Sequence, residues 1–415
     1  MTIDTNTLRS IQHLTANLQP ELSLMRRELH QHPELSGQES NTSSYIAEKL
    51  QHLGLSVQSN VGGFGIIADW ITDPSKPTVA LRLDIDALPI SETSDVPYRS
   101  KVHGVMHACG HDVHATVGVG TAAVLASLGK DLPGNVRFIY QPEEEEITGA
   151  LRMIRAGALS KPVPAAIFGL HVAPIPVGQI AWTDDLFLAG FDHYLASLVP
   201  KENMRISPEQ LDAIAQRCCR VILGLNRWTL PETWAEMQIF WELMQTGHPD
   251  LQHFIIYDAS TDADDPLAWR GQFGIGIKAA NAHLRRAAVG RIRASINAIT
   301  LAHQTDYHLE PMGSLPDVRN DPDLVRCALP SLQQAVGKQN IIQLKGAFPF
   351  NCEDFAYYTK LIPGAMYWLG GANPKTRQYA MLHTPDFDVD EACLSVGVMA
   401  MSAILVETLQ QNPLK

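Results

Sequence analysis

Hydrophobic residues near the start of the chain recur at a helical spacing. Leu8, Ile11, Leu14 and Leu18 lie three or four residues apart, and Leu22, Met25 and Leu29 continue the series. This periodicity predicts helical structure over much of 5–60, with a further amphipathic helix at 42–53. Beyond residue 60 the period changes, and short apolar runs replace the helical pattern.

These apolar runs alternate with helical stretches. Strands are predicted at 65–70, 78–84, 136–140 and 165–170, and a helix of small residues at 113–128. The alternation predicts an α/β architecture, with a mixed central sheet flanked by helices. Polar residues follow several of these strands, which is where open α/β sheets place their binding sites.

Residues 186–310 show a different sequence pattern. Helices are predicted at 207–225 and 279–301, and strands at 194–199, 254–257 and 269–277. Two helices on a small sheet would form a compact second domain. The strand and helix pattern resumes after residue 310, with a helix at 354–361 and a strand at 365–369.

The chain of 415 residues is too long for one ordinary core. We therefore predict a catalytic domain made of 1–185 and 311–415, with 186–310 inserted as a smaller α/β sandwich lid. Four of the seven tryptophans, at positions 228, 234, 241 and 269, lie in this insertion. They would suit either a dimer interface or the core of the lid.

Composition narrows the class of function. The net charge of −12 argues against nucleic acid and against an anionic membrane surface as partners. The first residues show no basic and apolar signal pattern, and no stretch of transmembrane length is free of charges. Six scattered cysteines form no disulfide framework, so we predict a cytoplasmic protein.

The most informative segment is Met106–His114, which holds one thiol and three imidazoles in nine residues. Cys109 and His111 flank a glycine and can point at neighbouring positions around a metal such as zinc. A buried thiol beside a capping histidine is the plainer alternative. We expect His107 and His114 to orient other ligands or to face the helix.

An acidic run, Gln141–Glu146, follows the predicted strand 136–140. Consecutive carboxylates usually form a solvated charge cluster. Here the run lies between an apolar strand and Gly149–Ala150, so one carboxylate can bind metal while its neighbour accepts a proton from water. A like charge and partial burial would raise the pKa of that base.

Two isolated histidines complete the candidates. His171 and His383 would each be read as an ordinary core histidine if it stood alone. Asp84 and Asp86 come after the apolar residues 78–83 of the predicted strand and could serve as ligands, as acceptors that orient a ligand, or as helix caps.

Taken together, these motifs resemble the M20 metallopeptidase family. The similarity is greatest to its amidohydrolases of hippurate, indole-acetyl-amino acids and N-acetyl-amino acids. It covers most of 20–185 and 312–405 in family order. The matching segments are 27–36, 82–90, 106–112, 141–145, 169–172, 353–355 and 382–387.

The resemblance implies a site for two divalent metal ions, zinc or manganese, in a zinc-peptidase-like domain. Five residues fall on the family's ligand positions: Cys109, His111, Glu145, His171 and His383. Glu144 falls on its general base, and Asp86 falls where the family uses an aspartate to orient a ligand. Some relatives dimerise through the lid, so a homodimer is also implied.

One departure concerns the lid. Family lids carry a Gly-Gly-His-Ala-Ala segment whose histidine approaches the scissile carbonyl, whereas this chain has Leu198–Arg205 there, without histidine or paired glycines. The family's Asn-Val-Ile-Pro segment is replaced by Ser260–Pro266. His193, His248 or His253 could supply the missing donor, and the sequence does not select among them.

The sequence thus predicts hydrolysis of the amide bond of N-acyl amino acids or similar small amides. Water between the metals would lose its proton to Glu144, which would pass it to the leaving amine. Two alternatives stay open: a dipeptidase or carboxypeptidase of the same fold, and a non-catalytic, metal-holding binding protein, which the altered lid would suit.

Overall fold

The computed structural model describes residues 3–251, 253–261 and 270–411. Its first two helices, α1 (Thr5–Gln31) and α2 (Ser40–His52), confirm the helical prediction as far as His52. The prediction is wrong at its end, because Ser56–Val61 form a strand. Asp4 caps α1, since its carboxylate accepts hydrogen bonds from the backbone N–H groups of Asn6 and Thr7.

An eight-stranded mixed sheet forms the centre of the larger part of the molecule. Its strands are β1 (Ser56–Val61), β2 (Gly65–Trp70), β3 (Thr78–Asp84), β4 (Asn135–Gln141), β5 (Ala166–Pro176), β6 (Ile180–Thr183), β13 (Ile341–Leu344) and β14 (Gly364–Ala372). Their order is β1-β2-β4-β3-β5-β14-β6-β13. The central neighbours β4, β3, β5 and β14 run parallel, whereas β1, β2 and the β14–β6 pair are antiparallel.

Helices cover both faces of this sheet. One face packs against α1, α2, α3 (His111–Leu128), α8 (Pro322–Val336) and α10 (Ala392–Gln411). The other packs against α4 (Gly149–Arg155), α6 (Trp234–Thr246) and α9 (Ala356–Thr359). Strands buried on both faces explain why the apolar runs at 78–84 and 136–140 are continuous rather than alternating. The predicted α/β architecture is confirmed.

A smaller antiparallel sheet has the order β11-β8-β10-β9. Its strands are β8 (Gly190–Pro200), β9 (Phe254–Ser260), β10 (Gln272–Ala279) and β11 (Thr305–Leu315), and the helices α5 (Pro208–Leu223) and α7 (Ala282–His303) pack on it. Two short strands, β7 (Leu186–Leu188) and β12 (Val318–Arg319), pair with each other near the junction. The domain bounds 186 and 310 stay a prediction. Trp269 and 262–266 lie outside the described residues.

Trp241, on helix α6, lies in neither of the two surroundings expected for the tryptophans. The helix begins with a capping box, in which Thr233 and Glu236 satisfy each other's backbone N–H groups. Trp241 on this helix packs against Trp368 of the large sheet, with ring centroids 6.4 Å apart, and its indole N–H donates to the carbonyl of Pro174 at 2.9 Å. Trp241 therefore belongs to neither the core of the small sheet nor an exposed interface.

Helix α10 is apolar on every side. By length and hydropathy it could cross a membrane, but 78% of the residues in its most apolar stretch are buried inside the molecule. It packs between α1, α3 and α8. A helix that is hydrophobic all round is expected at this central position in a core.

The indole hydrogen bond of Trp241 provides a test of how α6 is held. We expect Trp241→Phe to lower the free energy of unfolding by about 1–3 kcal/mol, because the buried Pro174 carbonyl loses its donor. Urea denaturation would measure the change. Trp234→Phe on the same helix is the matched control, expected within about 0.5 kcal/mol of the wild type. Equal effects from both would show that the hydrogen bond does not fasten α6.

Candidate active site

The ends of neighbouring parallel strands bring the polar motifs together. In the sheet register, Asp84 at the end of β3 pairs with Gln141 at the end of β4. On its other side, β3 pairs with β5 through Arg82 and Gly169, two residues before His171. Strand β5 continues to Pro176, so His171 lies within the strand rather than at its predicted end. The acidic run, which follows β4, and His171, which lies on β5, are therefore both placed beside the end of β3.

Gly110 sets the turn between Cys109 and His111. Its φ is +79°, in the left-handed region, and a Cβ at this position would lie 2.4 Å from Cγ1 of Val172. Only glycine meets both conditions without displacing β5. The turn holds the thiol in the loop and places His111 at the first position of α3.

Buried ion pairs fix the start of α3. The guanidinium of Arg26 on α1 lies 2.8 Å from the carboxylate of Asp112, and His30 also contacts this carboxylate at 2.8 Å. The three side chains are almost fully buried. Because removing one partner of such a pair leaves an uncompensated charge, α3 is held firmly against α1. His30 thus has a structural role.

Cys109 is at the centre of the candidate ligands. Its Sγ lies 3.5 Å from Nε2 of His171 and 3.3 Å from Nε2 of His383. Nε2 of His383 is also 3.5 Å from Oε1 of Glu145. His383 has a φ of +60°, unusual for a residue with a side chain, and its backbone N–H donates to Ala108 at 2.8 Å. This contact ties the His383 loop to the Cys109 loop.

Asp86 orients His111 and positions the acidic run. Nδ1 of His111 lies 2.9 Å from the Asp86 carbonyl oxygen and 3.1 Å from its carboxylate. Both partners are pure acceptors, so Nδ1 carries the proton and the lone pair of Nε2 is left free. The second carboxylate oxygen of Asp86 accepts from the backbone N–H of Glu145 at 3.0 Å and from the Ser36 hydroxyl at 2.7 Å.

His114 is excluded as a ligand by its hydrogen bonds. Its Nδ1 donates to the Asp84 carboxylate at 2.5 Å, and its Nε2 accepts from the backbone N–H of Val172 at 2.8 Å. Both ring nitrogens are therefore engaged. Arg82 in turn holds Asp84 through an ion pair of 2.6 Å. His114 thus helps to hold β5 at the site.

Glu144 and Glu145 both approach His111. Oε1 of Glu145 lies 3.7 Å from Nε2 of His111, and Oε2 of Glu144 lies 3.9 Å from the same atom. Burial, followed by the nearby carboxylates of Glu353 and Glu145, raises the pKa of Glu144 well above its usual range. Among the described residues, none donates a hydrogen bond to the Glu144 carboxyl group.

The donors fit divalent metal ions. Among the described residues, five groups of three side chains have ligand atoms that all lie within 4.8 Å of one another, and one of them joins His111, Glu144 and Glu145. Two of the five contain Cys109: Cys109 with His111 and His171, and Cys109 with Glu145 and His383. Nε2 of His111 and Oε1 of Glu145 are buried without a hydrogen-bond partner. Buried polar atoms are normally satisfied, so these two atoms point to an ion that they would hold. All five predicted ligand residues are thus brought together.

The pKa values of this cluster respond to its own buried charges. Burial and the charges of Glu145 and Glu144 raise the pKa of the Cys109 thiol well above its usual range. Burial alone would lower the pKa of His111, but Asp84 and Asp86 outweigh it and raise the pKa to about 10. A cation reverses this preference, because it stabilises the thiolate and the neutral imidazole that ligate it.

A cavity of about 280 Å³ opens beside these donors. Its lining includes Cys109, Glu144, Glu145, His171 and His383 from the large domain and Phe191, Tyr257 and Lys278 from the small sheet. His193, His248 and His253 are not among the described residues that line it. None of the three therefore stands in for the missing lid histidine in this structure.

A second, apolar cavity of about 150 Å³ adjoins the first. The two share Leu230, Asn351, Trp368, Leu382 and His383. The walls of the second cavity come from α6, from strands β5 and β14, and from loops. They include Pro174, Met237, Trp241, Phe348 and Met381. The segment that carries the tryptophans thus helps to shape the site.

Several residues of the site were not singled out from the sequence. Arg82 binds Asp84, Glu353 and Asp354 within 3.0 Å, and Lys278 enters the cavity from β10. An arginine inside an otherwise apolar buried strand was the available signal for Arg82. Lys278 gave no such signal, because its position depends on how the small sheet packs.

Comparison with known proteins agrees with this architecture. Residues 80–407 match the model of peptidase family M20/M25/M40. A probable hydrolase of Synechocystis is 32% identical over 402 residues, covering 94% of this chain and 96% of that protein. The IAA-amino acid hydrolase ILR1-like 2 of Arabidopsis thaliana is 31% identical, covering 94% and 86%.

A solved structure extends the match. The YxeP protein of Bacillus subtilis, described as a dinuclear metal-binding peptidase of the M20 family, superposes with a TM-score of 0.72. It is 28% identical and covers 95% of this chain and 99% of its own.

An α/β fold with clustered thiolate, imidazole and carboxylate donors beside a cavity defines a metal-dependent hydrolase. The chain belongs to the M20 peptidase family. The family resemblance drawn from the motifs is confirmed, and so is the prediction of an enzyme over that of a non-catalytic scaffold.

Cys109 offers a test of metal binding, because its thiol belongs to both donor groups. We expect Cys109→Ala to lower bound metal from about two equivalents per chain to less than one, since neither group keeps its full donor set. Inductively coupled plasma mass spectrometry would measure this. Cys327→Ala, a buried cysteine on α8, is the control and should keep its metal. Unchanged metal in the Cys109 variant would contradict the assignment.

Proposed function

We propose that the enzyme hydrolyses the amide bond of N-acyl amino acids or similar small amides, with Glu144 as general base. The observation that carries the proposal is the pairing of five converging donors with one adjacent carboxylate that has no hydrogen-bond donor among the described residues. A carboxylate left free beside ligated ones is what proton transfer from water requires.

When bound at these donors, two divalent cations would polarise the substrate carbonyl and activate a water. Cys109, His111, Glu145, His171 and His383 are the residues proposed to hold them. Asp86 engages Nδ1 of His111 and so leaves Nε2 to bind a metal. The donor set suits zinc, and the carboxylate also accommodates manganese, so either metal is proposed.

Glu144 accepts the proton that water loses as it attacks the carbonyl carbon. The pKa of Glu144 is raised mainly by its burial and by the charge of Glu353, which increases its strength as a base. It then donates the same proton to the nitrogen as the C–N bond breaks. One carboxylate thus acts first as base and then as acid.

The proposal of an N-acyl amino acid substrate rests on two supports. The apolar cavity beside the donors offers room for an apolar acyl group. The Arabidopsis relative is named for hydrolysis of an amino acid conjugate. The name of the Bacillus structure, a peptidase, favours the rival, which is a dipeptidase or carboxypeptidase of the same fold.

Cytoplasmic location and a homodimer formed through the lid also remain proposals. Strand β11 is an edge of the small sheet, and Leu301 and Met312 near it are exposed. This exposed edge strand is the surface on which we propose that such a dimer would form.

The role of Glu144 is tested by Glu144→Gln. We expect kcat to fall by about 100- to 10,000-fold, because the amide cannot accept the proton of water. Metal content should stay at the wild-type value, since Glu144 is not a proposed ligand. Steady-state kinetics and metal analysis on the same preparation would measure both. An unchanged kcat would rule out the general-base role.

The substrate class is tested by a panel of N-acetyl and N-benzoyl amino acids beside dipeptides and peptides with a free carboxyl end. The protein is assayed with zinc and with manganese added separately. We expect kcat/KM to be at least about 10-fold higher for the acylated amino acids, because an apolar cavity disfavours a charged amino terminus. Higher values for dipeptides would support the peptidase instead.

A further inference from the structure

Two aromatic side chains of the small sheet line the cavity of about 280 Å³ that contains the proposed metal ligands. They are Phe191 on β8 and Tyr257 on β9. Their rings are nearly perpendicular, with centroids 6.4 Å apart and an angle of 89° between the ring planes. Phe191 and Tyr257 therefore form an aromatic corner in the wall of the cavity that also holds Glu144 and Glu145.

A glycine on the neighbouring strand gives Phe191 its place. A Cβ at Gly276 of β10 would lie only 2.9 Å from Cε2 of the Phe191 ring. Any side chain at this position would displace the ring, whereas glycine lets the ring approach β10 closely. His193, two residues further along β8, lies nearly parallel to the same ring, at an angle of 12° and with centroids 6.3 Å apart. The Phe191 ring is thus held by its own sheet.

Tyr257 owes its position to a bulge in β9. Its two neighbours in the chain pair with consecutive residues of β10, Ile277 and Gly276, so Tyr257 is the extra residue of this ladder. Bulges redirect side chains and are frequent beside active sites. Nζ of Lys278 lies 3.8 Å from the centroid of the Tyr257 ring, a cation–π contact that holds the ring in place.

Tyr257 presents an uncovered aromatic surface at this corner. Among the described residues it is the one phenylalanine, tyrosine or tryptophan that is exposed, with 58% of its surface accessible. Aromatic rings carry a large apolar area, and covering that area stabilises a complex. A substrate group that contacts both Phe191 and Tyr257 would gain this stabilisation.

The two cavities indicate which half of the substrate meets the aromatic corner. The apolar cavity beside α6 is the proposed place of the acyl group, and none of its described lining residues belongs to the small sheet. Phe191 and Tyr257 line the larger cavity, together with the donors. With the acyl group beside α6 and the amide at the donors, the amino acid half occupies the larger cavity.

We propose that Phe191 and Tyr257 bind the side chain of the amino acid half and select aromatic amino acids there. This inference rests on the proposed function and names the amino acids that the enzyme prefers. Perpendicular rings suit an aromatic side chain, because it can stack on one ring and meet the other edge to face. A glycine derivative would leave both rings uncovered.

The test compares N-acyl derivatives of glycine, cyclohexylalanine and phenylalanine, all with the acyl group that the wild type turns over best. Cyclohexylalanine is close to phenylalanine in size but has no π system. We expect kcat/KM of the wild type to be at least about 10-fold higher for the phenylalanine derivative than for the glycine derivative, because an apolar side chain is buried. The preference over cyclohexylalanine should be about 2- to 10-fold, the range for aromatic pairing.

Three variants complete the experiment. Phe191→Leu and Tyr257→Leu each remove one ring and keep an apolar side chain, and each should lower the phenylalanine-to-glycine ratio of kcat/KM by about 3- to 10-fold. Because Tyr257 is exposed, its variant tests the corner even if loss of the Phe191 ring disturbs the sheet. Tyr307→Leu on β11 is the matched control, since Tyr307 is not among the described residues that line the cavity. It should keep the wild-type ratio.

The outcomes separate this inference from the proposed function. Equal kcat/KM values of the wild type for all three derivatives would overturn the role of the aromatic corner alone, and equal values for phenylalanine and cyclohexylalanine would overturn the selection of aromatic side chains. An unchanged ratio in both corner variants would also overturn it, since losses by the same factor on every substrate indicate a structural role. Absence of wild-type turnover on every acylated amino acid would overturn the proposed function, and the inference with it.

Discussion

The carboxylate of Asp86 is the contact on which the site depends. One carboxylate oxygen accepts a hydrogen bond from Nδ1 of His111. The other accepts hydrogen bonds from the backbone N–H of Glu145 and from the hydroxyl of Ser36. Three segments that are far apart in sequence therefore meet at one buried group. Because both acceptor atoms are used, the orientation of His111 and the path of the acidic run are set together. The positions of Glu144 and Glu145 follow from this contact.

The concentration of negative charge gives the site its chemical character. Asp84, Glu144, Glu145, Glu353 and Asp354 all lie in or beside it, and Arg82 neutralises only part of this charge. In the absence of a cation, the surroundings favour a protonated Glu144 and a protonated Cys109. Divalent ions would compensate the remaining charge and stabilise the thiolate. The structure is thus organised around charge that its own basic residues do not balance.

Much of the fold and of the donor set was predictable from local patterns. Continuous apolar runs indicated buried parallel strands, and Cys109 and His111 beside Gly110 indicated a ligand turn. The proximity of His171 and His383 to Cys109 was implied only by family resemblance, since each is an unremarkable histidine by itself. His171 is placed by strand β5 and its pairing with β3, and His383 by the backbone hydrogen bond to Ala108, and both are long-range contacts.

Other features were beyond local patterns for physical reasons. Helix α6 has clear capping residues, yet its docking on the large sheet depends on shape complementarity with Trp368 and Pro174. Both surroundings considered for the tryptophans, a dimer interface and the lid core, were therefore wrong for Trp241. The sequence left open whether His114 is a helix-face residue or one that orients others, and only the geometry shows that both of its nitrogens are engaged. Lys278 is likewise visible only once the two sheets are placed together.

Anomalous X-ray diffraction from crystals of the metal-loaded enzyme, collected at the absorption edge of the bound metal, tests the central claim most directly. The account predicts two anomalous peaks, with the Cys109 thiolate next to both, His111, Glu145, His171 and His383 around them, and Glu144 close by without a metal bond. A single peak, peaks away from Cys109, or direct ligation by Glu144 would contradict it.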